Sequence, residues 1–247
     1  MQVFLSFSGA KREEYAIHFL NYFSKVGLKC WYDHEELFIG DQLYATIISE
    51  GINKSNYGII LIDKSFLERH WPMEEAELLI RKLEYNALFP LLLNVTKDEV
   101  AKSKIKKILE YKYQFIFKKE DIEHVCDQIL NRILHDVVLS ECTIKSIEEA
   151  IRFFDTSHAF RCIDYRNALH MINSFDTTQY TNKTIAIICL LNTFTEIEYS
   201  GVLRYISYKV FEKQVIGFDL YKAAESIFLI NLQRKLSISD CNYSTLD

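Results

Sequence analysis

Five short, nearly continuous apolar runs, each followed by a longer stretch of helical periodicity, constrain this chain more than any other feature. The runs are residues 3–7 (VFLSF), 28–32 (LKCWY), 57–62 (YGIILI), 88–93 (LFPLLL) and 113–117 (YQFIF). Runs that are apolar at consecutive rather than alternate positions indicate strands covered on both faces. The covering layers are predicted as helices over 11–26, 43–53, 72–85, 97–110 and 121–136. In the first of these Tyr15, Phe19, Leu20 and Phe23 share one face, and Gly27 ends the segment. Pro72 falls in a first helical turn, where its missing N–H costs nothing. The pattern predicts an α/β domain over residues 1–138, a flavodoxin-like five-stranded parallel sheet. Pro90 conflicts with a ladder position, which demotes the fourth run as a strand or puts its first residues outside the ladder.

Beyond residue 138 the strand runs stop. Apolar residues recur at helical spacing over 143–154, 159–174, 182–197, 201–212 and 218–236, which predicts a helical second domain over 139–247. Its aromatic residues, Phe153, Phe154, Tyr205, Tyr208, Phe211 and Phe218 among them, are expected in the core, with docking or self-assembly as the functional reading. A net charge of -5, from 29 Lys+Arg against 34 Asp+Glu, disfavours nucleic acid as a partner. The lysines between 97 and 112 read as a solvated helix face. No apolar stretch approaches the roughly 20 residues needed to span a bilayer, and MQVFLSFSG has no basic leader, so a cytoplasmic protein without a signal peptide is expected. The six cysteines are dispersed without a CxxC pair, which predicts reduced thiols and no metal site.

Ligands of open α/β sheets bind beyond the carboxyl ends of the strands. That rule selects the loops at 8–10, 33–41, 63–71 and 94–97. Neither GxGxxG nor GxxxxGK[ST] is present, which removes a Rossmann dinucleotide site and a P-loop. Asp41 is placed to cap a helix, and Asp33, ending a strand, is placed to bind a ribose hydroxyl. Trp71 offers a stacking platform for a flat ring, and Glu74 and Glu75 follow it in a first helical turn, where acidic residues also serve simply as dipole complements.

Taken in order, these segments resemble a TIR (Toll/interleukin-1 receptor) domain. VFLSFSG resembles the first TIR strand and its loop. WYDHEELFIGDQLYATIISEGINKSNYGIILIDKSFLERHWPMEEAELL resembles the second strand, the BB loop with its glycine (Gly40), the next helix, the third strand and the segment in which a Glu follows a Trp by four residues. LFPLLL resembles the family's proline-containing fourth strand. The likeness covers about 1–138, and a TIR unit followed by helices resembles bacterial antiphage proteins of the Thoeris type.

The resemblance implies NAD⁺ glycohydrolase or ADP-ribosyl cyclase activity in antiviral signalling or NAD depletion, with NAD⁺ as substrate and no cofactor. It puts the catalytic glutamate at Glu75 and the substrate-binding residues at Phe7, Ser8, Gly9, Asp33 and Trp71. It also implies a homo-oligomer formed through the TIR unit, the helices or both, and leaves a protein partner for the helices open. The competing reading is a scaffold or adaptor working by TIR–TIR assembly without catalysis. A phospho-receiver is disfavoured, because Phe7-Ser8-Gly9 supplies no acid after the first strand.

Overall fold

YGIILI, the most uniformly apolar run, forms the strand at the middle of the sheet. In the computed structural model, which describes residues 1–9, 12–32, 43–84, 86–116, 118–156, 163–212 and 214–243, five strands run in parallel. They are β1 (Gln2–Phe7), β2 (Lys29–Trp31), β3 (Tyr57–Ile62), β4 (Leu88–Leu93) and β5 (Gln114–Ile116), in the order β2-β1-β3-β4-β5. All six residues of β3 are buried. This is the flavodoxin-like order, whose topological switch point lies between β1 and β3.

The helices of this unit are α1 (Ile17–Val26), α2 (Leu43–Thr46), α3 (Lys64–Glu68), α4 (His70–Lys82) and α5 (Lys97–Ala101). α1 follows a wider turn at Arg12–Ala16, and Gly27, at φ 73, caps it with its N–H on Phe23 and Ser24 carbonyls. α2 widens over Ile47–Ile52, where Gly51 lies under the stacked rings of Phe4 and Trp31, whose centroids are 5.1 Å apart. Gln2 Nε2 pins this wide turn by donating to the Glu50 and Gly51 carbonyls at 3.0 and 3.2 Å.

Two expectations are corrected here. Pro90 lies inside the ladder, paired with Ile60. Alternate residues of a strand address the same neighbour, and the Ala87 carbonyl bonds to Gly58 of β3, so Pro90 addresses the opposite side. There β5 begins only opposite Leu91, and the missing N–H has no ladder to break. Residues 97–110 are not one helix: α5 ends at Ala101, and a separate 3₁₀ turn follows at Lys106–Glu110. Ser103 donates both its N–H (3.0 Å) and its hydroxyl (2.7 Å) to the Val100 carbonyl, which closes α5 with i→i−3 bonds instead of continuing it.

The chain divides into two compact units, 1–126 and 127–247. The second is helical, taking most of α6 (Asp121–Glu141), then α7 (Ile147–Thr156), α8 (Ile163–Ser174), α9 (Tyr180–Leu191), α10 (Ser200–Phe211) and α11 (Phe218–Tyr243). Phe154 stacks on Tyr165, and Phe194 meets Phe228 edge-on. The core expectation fails for Tyr208, Phe211 and Phe218, which are exposed, Phe211 at 83%. Among the described residues no helix is long and apolar enough to cross a membrane. Cys30, Cys126, Cys142 and Cys189 form no disulfide; Cys126 and Cys142 are buried and Cys189 is exposed. Desolvation pushes the Cys30 thiol up to about 12 and keeps it protonated.

Candidate active site

β1 carries one hydroxyl inside an apolar run. Alternation puts Ser6 on the same face as Phe4, and the Phe4 face packs with Ala76 and Leu79 of α4. Ser6 is 1% exposed, so its hydroxyl must find a partner within the protein. α4 supplies it. The buried residues of that helix are Pro72, Glu75, Ala76 and Leu79, the i, i+3, i+4, i+7 stripe of a core-facing helix. A carboxylate therefore occupies a position where the pattern calls for an apolar side chain. Glu75 is 5% exposed, and its Oε2 accepts a 2.6 Å hydrogen bond from Ser6 Oγ.

The same geometry separates Glu75 from its neighbour. Glu74 points away from the core, half-buried, and lies 3.5 Å from His70 Nε2, one turn earlier. α4 starts at His70, earlier than expected, and has no acidic residue in its first turn, so the dipole-complement reading fails for Glu74. It does not account for Glu75 either, because a buried carboxylate carries a desolvation cost that surface placement avoids.

Next to this pair, the loops after β1 and β3 are stitched together. Ser8 Oγ donates to Asp63 Oδ1 at 2.9 Å and lies 2.5 Å from the Ser65 hydroxyl. Ser65 Oγ is also 3.0 Å from Asp63 Oδ2. Asp63 caps α3, its Oδ1 accepting from the Phe66 N–H at 2.8 Å. Asp63 thus fixes two loops at the switch point with one carboxylate. Asp63→Ala is expected to cost about 1–2 kcal/mol, measured by urea denaturation, while Asp63→Asn keeps most of the cap.

The remaining expected residues divide. Phe7, half-buried, packs against Tyr32 with centroids 6.2 Å apart, and Gly9 is exposed. Trp71 does not stand clear at the mouth as a platform. It is half-buried against the cluster that holds Phe4, Ile62 and Phe66. It shares a side of α4 with Glu75, one turn away. Asp33 and Gly40 lie outside the described residues. Sequence reasoning misses Ser6, Asp63 and Ser65. Ser6 carries a visible signal, a lone hydroxyl in a run too apolar to leave it solvated. Asp63 carries one too, an acid three residues before Phe66 where a strand gives way to a helix.

The TIR domain family model matches residues 3–130, more than half of the chain. The NAD(+) hydrolase TcpC of Escherichia coli is 28% identical over 102 residues, 40% of this chain and 33% of that protein. The 2' cyclic ADP-D-ribose synthase BtTIR of Bacteroides thetaiotaomicron is 37% identical over 76 residues, 30% of this chain and 26% of its own length. A probable 2' cyclic ADP-D-ribose synthase, TcpO of Methanobrevibacter olleyae, is 26% identical over 132 residues, 53% of this chain and 38% of that one. The chain thus spans less than two fifths of each of these relatives.

Proposed function

The chain belongs to the TIR domain family, and on that footing we propose that it cleaves the nicotinamide–ribose bond of NAD⁺, with Glu75 as the catalytic carboxylate. The observation that carries the proposal is the placement of Glu75: a carboxylate on the core stripe of α4, held by Ser6 at the carboxyl end of β1. Structural economy alone would put an apolar residue there. Relatives whose names are NAD(+) hydrolase and 2' cyclic ADP-D-ribose synthase support the same chemistry.

One carboxylate suffices for this reaction. Nicotinamide leaves a pyridinium as a neutral molecule, so no general acid need protonate it, unlike the two-carboxyl arrangement of ordinary glycosidases. Positive charge builds on the ribose as the bond breaks, and an anionic Glu75 in a site poor in water stabilises it more strongly than solvent does. Water captures the sugar cation to give ADP-ribose, and a hydroxyl of the same molecule gives a cyclic product. The TIR-plus-helices layout, which resembles bacterial antiphage proteins, supports a role in antiviral signalling or NAD depletion.

Purified protein incubated with NAD⁺ at increasing protein concentration is expected to release nicotinamide, and mass spectrometry of the co-product separates hydrolase from cyclase. A folded sample that leaves NAD⁺ intact at every concentration favours the scaffold reading instead.

A further inference from the structure

The geometry points to Arg69 as the residue that binds the substrate's diphosphate, opposite the main chain of Gly9. This rests on the reading of the β1 end and α4 as a dinucleotide site. Arg69 is the last residue before α4, exposed, with an extended backbone at φ -98 and ψ 133. Its Nη1 lies 3.6 Å from where a Cβ on Gly9 would sit. The guanidinium therefore faces the bare backbone of the loop after β1, with no side chain from Gly9 between them. Among the described residues Arg69 forms no ion pair. The opposite wall is held in place, since the residue before Gly9 is Ser8, tied to Asp63 and Ser65.

The spacing suits one half of the substrate. β1 ends at Phe7 and Gly9 lies beyond it, so the step from Ser6 to Gly9 is at most about 10 Å. α4 begins at His70, and from there to Glu75 the helix rises roughly 7–8 Å, with Arg69 one extended residue further. Both walls therefore step by a similar length from the Ser6–Glu75 pair to the Gly9–Arg69 pair. A ribose 5′-diphosphate fits that step, with the scissile carbon of its sugar at Glu75 and its phosphates at Arg69. A guanidinium meets two phosphate oxygens with parallel N–H donors, a fork that an ammonium does not reproduce. Arg69 acts as a binding and positioning residue and takes no part in bond cleavage.

The test compares wild type, Arg69→Ala and Arg69→Lys in two assays. Calorimetry measures binding of ADP-ribose, which needs no turnover, and steady-state nicotinamide release measures KM and kcat for NAD⁺. Arg69→Ala is expected to weaken ADP-ribose binding and raise KM by about tenfold or more, the scale of a lost charge-assisted hydrogen bond. kcat stays within about twofold, because the interaction is the same in the ground and transition states. Arg69→Lys recovers part of the affinity, and the salt dependence of binding weakens in Arg69→Ala, which a purely structural role would not produce. Equal ADP-ribose affinity in wild type and Arg69→Ala overturns the assignment, as does a wild type that does not bind ADP-ribose. A wild type that binds ADP-ribose through Arg69 but releases no nicotinamide keeps the diphosphate site and removes the catalytic reading.

Discussion

Glu75→Gln is expected to lower nicotinamide release by at least about a hundredfold, the scale at which removing one preorganised electrostatic contact acts. The amide has nearly the shape of the carboxylate, and its oxygen still accepts from Ser6, whose hydroxyl lies 2.6 Å from Oε2 in the native protein. The variant is expected to stay folded, which its melting curve checks. Loss of activity with an unchanged melting curve separates chemistry from folding. Glu74→Gln is the matched control: its side chain faces solvent and His70, and turnover should barely change. Undiminished nicotinamide release by folded Glu75→Gln would falsify the assignment.

The second large effect concerns stability and has a sign that helix propensity alone gets wrong. Gly51 sits in a helical turn, where Ala is favoured over Gly by about 1 kcal/mol. A Cβ at that position, however, lies 2.7 Å from Trp31 Cζ3 and 2.8 Å from Phe4 Cε2. Both rings are fully buried and stacked on each other, so neither can swing aside. The backbone cannot retreat cheaply, since Gln2 holds the Glu50 and Gly51 carbonyls and Lys82 Nζ donates to the Ser55 carbonyl at 2.8 Å. Gly51→Ala is therefore expected to destabilise the protein by about 1–3 kcal/mol in urea unfolding. Gly217, where an added methyl would meet nothing within 4 Å, is the control: Gly217→Ala should be neutral or slightly stabilising. Equal midpoints for the wild type and Gly51→Ala would show that the ring pair yields more readily than its packing indicates.

Much of the α/β unit was legible because burial on both faces writes itself into consecutive apolar residues. The run at 57–62 announced a strand, and a fully buried strand forms there. Pro90 misled for a local reason: whether a missing N–H matters depends on where the next strand begins, and single-chain periodicity carries no such information. The stretch after residue 101 misled in another way, because helical spacing on paper does not show that Ser103 bonds back to the Val100 carbonyl and ends the helix there.

The site was half visible. Glu75 and Glu74 are equivalent as letters in the expected first turn, and the buried stripe of α4 separates them. That stripe could have been counted from Pro72, Ala76 and Leu79. The Ser8–Asp63–Ser65 stitch joins residues more than fifty positions apart in sequence, and no local pattern announces such a pairing. In the helical unit, the aromatic residues expected in the core proved to be of two kinds, because α10 ends with Tyr208 and Phe211 on its outward side.

On the proposed reading, the acid that acts on substrate sits on the packing face of α4, so activity and durability pull against each other at a single position. An aliphatic side chain at 75 would relieve the burden of a sequestered negative charge. On that reading a single substitution exchanges turnover for sturdiness.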